Sequence, residues 1–336
     1  MGGDGAFLIV RLGSLGDVIH GIPVAAALRD AFPRARVDWM VDPKYVEILG
    51  LVSGIDRIVP VDPRRMRGRL IATVRDLRAS RYDAAIDLQG LIKSAVLARL
   101  AGARRTIGLP HEHLREPVAR GFYTETPDPG PATHVVYRNL ALLSALGVTG
   151  AQVRFPLMIP ASRALDRVRE MAGAGPYALI NPGAAWPNKR WPPLRFGTLA
   201  AWLRDTMSLT SIVLWGPGEE SLVSEVVAAS AGAAMIAPPT TIADLFAVAK
   251  AARLMISGDT GPLHIAAAVG TPVVALFGPT RPERNGPWSA ADITVSRVGE
   301  CECLYERRCR RSTPCIDSID VSDVIAAVGA RLGAHG

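Results

Sequence analysis

The sequence lacks an apolar run long enough to cross a lipid bilayer. The longest candidate, residues 265–277, is interrupted by Gly270 and Pro272, whereas a membrane helix needs about 18–20 predominantly apolar residues. The first residues lack the basic stretch of a secretory signal, and Asp4 stands there instead. We therefore expect neither a signal peptide nor a membrane span, and we expect the protein to be cytoplasmic.

Other features are scarce as well. Aromatic residues make up only 6% of the chain, which disfavours a surface that stacks nucleic-acid bases. Four cysteines in 336 residues are too few for a disulfide scaffold. The 49% of hydrophobic and 21% of charged residues are typical of a globular protein, which excludes a disordered or fibrous chain. The length favours two domains.

The charge balance predicts an acidic partner. Lysine and arginine exceed aspartate and glutamate, which gives a formal net charge of +7 and a sequence pI of about 9.6. Such a surface attracts nucleic acid, an anionic membrane face or a phosphorylated substrate. A non-catalytic nucleic-acid-binding protein is therefore an alternative hypothesis, although the scarce aromatics count against it.

Short apolar segments alternate with helical patterns along both halves of the chain. Continuous apolar runs predict parallel strands that are buried on both faces. Strands are predicted at residues 6–10, 37–41, 57–61, 84–88, 106–108, 177–181, 212–215, 234–237, 254–257 and 273–277. Helices are predicted at 17–31, 91–100, 134–146, 194–204, 219–230, 242–251, 262–269 and 321–332. Pro156 and Pro160 mark a domain boundary near 150–160. The pattern predicts an α/β protein with two doubly wound, Rossmann-like domains, whose ligands bind at the carboxyl ends of the strands.

Three glycine-containing turns follow predicted strands. Residues 11–17 (RLGSLGD) place Asp17 at a helix start, where it either faces the ligand cleft or only caps the helix. Residues 215–220 (WGPGEE) offer Glu219 and Glu220 to a ribose diol or to the helix dipole. Residues 257–264 (SGDTGPLH) can present the N–H groups of Thr260 and Gly261 to a diphosphate. None has the dinucleotide-binding fingerprint, which argues against a dehydrogenase.

A fourth loop and the cysteines leave alternatives open. Residues 181–192 (NPGAAWPNKRWP) carry Lys189 and Arg190, which either pair with phosphate oxygens or are solvated charges on a proline-rich connector. His264 is either a ligand contact or a packed core residue. The four thiols, Cys301, Cys303, Cys309 and Cys315, either bind a structural zinc ion, form disulfides or remain free.

Together, the segments RLGSLGDVIHGIP, NPGAAWPNKRWP and SGDTGPLHIAAAVGTPVVALFGPT resemble those of the ADP-heptose:lipopolysaccharide heptosyltransferases, glycosyltransferase family 9. The resemblance covers nearly the whole chain and implies an inverting, metal-independent glycosyltransferase of GT-B architecture without a cofactor. Residues 82–103, 115–117 and 122–123 look most like heptosyltransferase I, which adds the first heptose to Kdo. The cysteine segment and the 181–192 loop look more like heptosyltransferase II, so that subtype, or another GT-B nucleotide-sugar transferase, is the alternative.

The resemblance also implies domains and partners. Residues 1–155 would bind the acceptor and residues 156–320 the nucleotide sugar, and the helix 321–336 is expected to pack back on the N-terminal domain. The donor would be ADP-heptose and the acceptor a Kdo–lipid A type molecule, with peripheral contact to the inner face of the cytoplasmic membrane and no nucleic-acid partner.

Individual residues take roles from the same resemblance. Asp17 would be the general base, Lys189 would contact the donor phosphate, and Glu220 would hold the ribose. The remaining donor-binding residues would be Asp259, Thr260, Gly261 and His264. The candidate acceptor-binding residues are Ser14, Gly16, Arg64, Arg67, Arg115 and Arg120. Ala184 and Ala185 depart from the hydroxyl residues that many members carry near the donor, and Pro262 removes one backbone N–H donor from a helix start.

Overall fold

The computed structural model describes residues 5–62, 70–173 and 175–333. The chain divides into two compact units, Met1–Met158 and Ile159–Gly336. Each unit is built around one parallel β-sheet with helices between successive strands. Within the described ranges, no helix has the length and apolar character that spanning a membrane requires.

The first unit contains a five-stranded sheet in the order β3-β2-β1-β4-β5. Its strands are β1 Ala6–Val10, β2 Arg36–Val41, β3 Arg57–Pro60, β4 Ala84–Asp87 and β5 Arg105–Ile107, and its helices are α1 Leu15–Ala31, α2 Val46–Gly50, α3 Leu70–Ala79, α4 Ile92–Leu100 and α5 Val135–Ala141. All pairings are parallel, with Ile9 of β1 opposite Trp39 of β2 and Ile86 of β4. Strands β1 and β4 are continuous apolar runs and are buried, as the sequence predicts, whereas β3 buries only Val59.

Helix α1 packs closely on this sheet. Its residues from Val18 to Leu28 are all buried, and a Cβ at Gly21 would lie only 2.8 Å from the Trp39 ring. A side chain at that position would push the helix away from the sheet, so glycine sets how closely the helix approaches the strand. The close packing fixes the start of α1, at Leu15, just beyond the carboxyl end of β1.

The second unit contains a six-stranded sheet in the order β11-β10-β9-β6-β7-β8. Its strands are β6 Tyr177–Asn181, β7 Thr210–Val213, β8 Ala234–Ile236, β9 Leu254–Gly258, β10 Val273–Phe277 and β11 Ile293–Ser296, and its helices are α6 Arg163–Met171, α7 Pro193–Met207, α8 Glu220–Ala229, α9 Ile242–Ala251, α10 Gly261–Ala268, α11 Pro282–Asn285 and α12 Val321–Leu332. Strand β11 and helices α2, α3, α6 and α11 are absent from the sequence-based expectations.

The last helix differs from its expected position. Val324, Ala327 and Val328 of α12 are buried in the core of the second unit, in one cluster with Leu203 and Leu276. The helix contacts α7, β10 and β11. Its apolar face is therefore covered by the second unit, whereas the sequence led us to expect packing on the N-terminal domain.

Each sheet has a point where the strand order reverses direction. In the first sheet this point lies between β1 and β4, and in the second it lies between β6 and β9. Loops that leave adjacent strands at such a point run to opposite faces of the sheet and open a crevice at its carboxyl edge. Asp17, Lys189 and Asp259 follow the strands β1, β6 and β9 at these two points.

Candidate functional site

In the first unit, Asp17 lies in the first turn of α1. One carboxylate oxygen is paired with the Arg11 guanidinium, and the other accepts hydrogen bonds from the backbone N–H and the hydroxyl of Ser14, both at 3.0 Å. Asp17 thus caps the helix, and its side chain is still 38% exposed. Because the Asp17 side chain is partly exposed, the capping role leaves room for a substrate hydroxyl.

The surroundings of Asp17 keep its carboxyl ionised. Burial alone would raise the pKa of Asp17, but the positive charge of Arg11 and the hydrogen bonds from Ser14 and Arg11 outweigh it, and the pKa lies below the ordinary value of 3.8. An ionised carboxylate accepts hydrogen bonds and protons only. The arrangement therefore suits a proton acceptor and does not suit a general acid.

Two neighbours of this turn carry no recognised motif in the sequence. The Gln89 side chain accepts a hydrogen bond from the Leu12 N–H at 2.9 Å. The half-buried Tyr45 ring lies against Gly13, where a Cβ would approach it to 2.5 Å. Burial and the charges of Asp42 and Asp17 raise the pKa of Tyr45. Only their positions after β4 and β2, at the same edge of the sheet, could have indicated them.

The expected acceptor residues differ in their placement. Ser14 is exposed beside Asp17, and Gly16 is buried in the first turn of α1. Arg115 is exposed, whereas Arg120 is half-buried and donates to the Tyr123 carbonyl at 3.1 Å. Arg64 and Arg67 lie outside the described residues. Of the described residues in this set, Ser14 is in direct contact with the carboxylate.

In the second unit, Lys189 and Asp259 form an ion pair at the carboxyl edge of the sheet. The Lys189 Nζ lies 2.5 Å from Asp259 Oδ2, and their side chains are 14% and 6% exposed. The same carboxylate accepts from the Thr280 hydroxyl at 2.8 Å and lies 3.5 Å from His264 Nε2. The Lys189 ammonium also sits 4.6 Å from the centre of the Trp186 ring. Three different loops thus orient one lysine.

The Asp259 carboxylate stays ionised at neutral pH. Burial would raise the pKa of Asp259, but the hydrogen bond from His264 and the positive charge of Lys189 hold it far below its usual range. His264 is itself buried. It is therefore both a packed histidine and a neighbour of the Asp259 carboxylate, the two alternatives considered from the sequence. Lys189 has three N–H donors and can bind a phosphate oxygen while it stays paired with Asp259.

The expected diphosphate segment begins α10. Gly261 is its first residue, so its N–H belongs to the helix start, while Pro262 contributes no donor. The Thr260 hydroxyl accepts from the Asn181 amide at 3.0 Å and lies 3.0 Å from the Ser257 hydroxyl. This network engages the Thr260 side chain inside the protein, which leaves its backbone as the group available to a ligand.

The structure brings Glu219, and not Glu220, to this edge. The Glu219 carboxylate accepts from the Gly216 N–H at 2.9 Å, and a Cβ at Gly183 would lie 2.2 and 2.3 Å from its two oxygens. Glu220 is exposed at the start of α8 and accepts from the Gly218 N–H at 3.4 Å. The carboxylate beside the loop after β6 is therefore that of Glu219, whereas the resemblance led us to expect that of Glu220.

The four cysteines are free thiols in the segment 301–315. Cys303 and Cys309 are close, with 3.5 Å between their sulfur atoms, and burial raises the pKa of Cys315 to about 12. Within the part of the chain that the structure describes, no three His, Cys, Asp or Glu side chains are arranged to hold a metal ion. The zinc site considered from the sequence stays a hypothesis.

The cysteine segment instead supports the 181–192 loop. The Asn188 side chain donates to the Glu306 carbonyl at 3.0 Å, and the Arg307 side chain lies 3.5 Å from the Ala185 carbonyl. In the same loop, Arg190 donates to the Ala184 carbonyl at 2.9 Å and so is held by the loop's own backbone. These contacts fix the loop that carries Lys189.

Comparisons with known proteins identify the class that this fold and these residues define. Residues 70–315 match the model of glycosyltransferase family 9 (heptosyltransferase). The chain belongs to this family, and it is a glycosyltransferase with the GT-B fold, as the sequence predicts.

Named relatives and solved structures agree with this assignment. Lipopolysaccharide heptosyltransferase 1 of Pseudomonas aeruginosa is 31% identical over 317 residues, which cover 90% of this chain and 86% of the relative. The enzyme of the same name from Escherichia coli K12 is 28% identical over 82% of this chain and 88% of the relative. The structure of E. coli heptosyltransferase WaaC with ADP has a TM-score of 0.77 and 25% identity, and covers 97% of this chain and 99% of WaaC. A family 9 structure from Veillonella parvula has a TM-score of 0.82 at 24% identity, covers 98% of each chain, and supports the fold.

Proposed function

We propose that this enzyme transfers heptose from ADP-heptose to the Kdo region of the lipopolysaccharide inner core. The observation that carries the proposal is the oriented Lys189–Asp259 pair beside the start of α10, in a chain whose relatives are named lipopolysaccharide heptosyltransferase 1. A lysine and a helix start together suit a diphosphate. The solved relative WaaC was crystallised with ADP and with ADP-2-deoxy-2-fluoro heptose.

The second unit binds the donor. Lys189 and the N–H of Gly261 contact the diphosphate, and Glu219 accepts hydrogen bonds from the ribose hydroxyls. His264 and Thr280 hold Asp259, which in turn holds Lys189. Charge that develops on the leaving ADP is stabilised by these groups, which are in place before the reaction.

The first unit supplies the base. Asp17 accepts the proton of the acceptor hydroxyl while the acceptor oxygen attacks the anomeric carbon of heptose from the face opposite ADP. The bond from the anomeric carbon to the phosphate oxygen breaks, its electron pair leaves with ADP, and the configuration inverts. General-base help of this kind contributes about 10²–10⁴ in rate.

The acceptor is held in a membrane, and basic residues of the first unit meet it. Arg115 is exposed and Arg120 is half-buried. Arg64 and Arg67 are further basic residues earlier in the same half of the sequence. A surface groove of about 390 Å³, lined by Ile71, Val74, Arg75, Arg78 and Leu100, combines apolar and cationic groups. These features support peripheral contact with an anionic membrane face, which a vesicle flotation assay at increasing salt tests.

Two measurements test the function. Isothermal titration with ADP, ADP-heptose, UDP and UDP-glucose should show binding of the two adenosine compounds only; a preference for uridine nucleotides contradicts the donor assignment. Transfer assays should then show heptose addition to Kdo–lipid A. Transfer only to an acceptor that already carries heptose would instead indicate the activity of a heptosyltransferase 2 or 3.

A further inference from the structure

The Arg11 side chain is a buried cation beside the base. Arg11 follows β1 directly and is only 6% exposed. Its backbone N–H donates to the Met40 carbonyl at 3.1 Å, and its carbonyl accepts from the Trp39 indole at 3.3 Å. Burying a guanidinium is costly unless charged or polar groups compensate it. We therefore expect the buried guanidinium of Arg11 to have charged or polar partners.

Those partners lie on two different elements. One terminal nitrogen of Arg11 pairs with Asp17 Oδ1 in the first turn of α1, and the other donates to the Leu88 carbonyl just after β4. Nε of Arg11 has no hydrogen-bond partner among the described residues. The two terminal nitrogens of the guanidinium thus connect the Asp17 carboxylate to the loop after β4.

This loop is itself fixed. Asp87 accepts hydrogen bonds from the Gln89 N–H at 2.9 Å, from the Ser94 hydroxyl at 2.9 Å and from the Tyr123 hydroxyl at 2.8 Å. Gln89 in turn holds the Leu12 N–H. The anchor point of Arg11 is therefore rigid, and it is bound to the same turn that leads into α1.

We propose that Arg11 is a positioning residue for the base: it holds the Asp17 carboxylate in one orientation, with its second oxygen directed toward Ser14. The inference rests on the proposed function, in which Asp17 accepts the acceptor proton. Arg11 touches no substrate and acts through Asp17. Its nearby positive charge keeps protons off the carboxylate until the acceptor hydroxyl arrives.

The test is the pH dependence of kcat/KM for the acceptor at saturating donor. The wild type should show no acid limb attributable to Asp17 above about pH 4. In Arg11→Gln the carboxylate loses its cation, which raises the pKa of Asp17, so an acid limb should appear above about pH 4. Arg11→Lys keeps the charge and should restore the flat profile, with turnover lowered several-fold because one terminal group cannot reach both Asp17 and Leu88.

A matched control separates this effect from lost stability. Arg29 is also partly buried, pairs with Asp56 at 2.6 Å and donates to the carbonyls of Pro33 and Ala35. Arg29→Gln should lower stability without creating an acid limb. If Arg11→Gln shows no acid limb above about pH 4, the proposal is overturned. If Arg11→Gln does not fold, wild-type turnover in Arg11→Lys overturns it. If Asp17→Asn retains wild-type turnover, the base assignment itself fails.

Discussion

The carboxylate of Glu219 lies directly against the backbone of Gly183. A Cβ at Gly183 would come within 2.2 Å of one Glu219 oxygen, so the loop after β6 and the loop after β7 fit together only because one of them carries no side chain here. The Gly216 N–H, at 2.9 Å, fixes the carboxylate from the other side. These contacts fix the Glu219 carboxylate at the carboxyl edge of the second sheet.

Glu219 and Glu220 should therefore behave differently when they are replaced. Glu219→Gln should weaken ADP binding about 10- to 150-fold, because hydrogen bonds to a charged acceptor contribute about 1.5–3 kcal/mol. Glu220→Gln, its matched neighbour, should leave ADP affinity unchanged. Isothermal titration of both variants decides between the two, and the reverse result would restore the assignment made from the sequence.

Asp17→Asn should lower turnover by about 10²–10⁴ while ADP-heptose affinity stays unchanged, because the base acts on the acceptor. Asp244→Asn is the control, since Asp244 caps α9 with the same pair of bonds, from the Thr241 N–H at 3.0 Å and hydroxyl at 2.9 Å. Asp244→Asn should lose about 0.5–2 kcal/mol of stability, as for a cap, and Asp17→Asn should lose more because it also leaves the buried Arg11 without its counter-charge. Equal turnover in the two would remove the base assignment.

Lys189→Ala should weaken ADP-heptose binding by one to two orders of magnitude, because it removes a charge-assisted contact to phosphate. Lys250→Ala removes an exposed lysine of α9 and should leave donor binding as it is. Calorimetry with ADP and with adenosine tests the phosphate role: the loss should be seen for ADP and not for adenosine.

Asp259→Asn should destabilise the protein by about 3–5 kcal/mol, because it leaves the buried Lys189 without its counter-charge. Denaturant unfolding measures this change, and Thr280→Val, which removes a neutral partner of Asp259, should cost clearly less. A similar loss in both variants would show that the ion pair contributes little.

The same carboxylate predicts how stability depends on pH. The pKa of Asp259 is lower in the folded protein than its ordinary value of 3.8. As the pH falls, Asp259 is therefore protonated in the unfolded chain before it is protonated in the folded protein. Its contribution to stability is present above about pH 4 and declines as the pH falls toward the folded pKa. Wild-type stability should fall below about pH 4 more steeply than that of Asp259→Asn, as measured by urea unfolding.

The sequence by itself determined the layout of both units. Apolar runs such as β1, β6 and β10 have the bounds that the pattern predicts, because a strand buried on both faces must be apolar throughout. Loops that follow such strands gather at one edge of a parallel sheet, so the turns that carry Asp17, Lys189 and Asp259 could be named as candidates without coordinates. Strand β11 and helix α6 were missed because β11 is only half-buried and α6 is mostly polar.

Tertiary structure alone decided which side chains meet. Adjacent residues at the start of α8 point about 100° apart, so the choice between Glu219 and Glu220 depends on how that helix docks on the sheet. The partnership of Arg11 with Asp17 depends on the loop after β4, which is 77 residues away from Arg11 in the chain. Which residues bury the apolar face of α12 depends on which unit presents an apolar surface to that helix. Such contacts join segments distant in sequence, and local patterns carry no information about them.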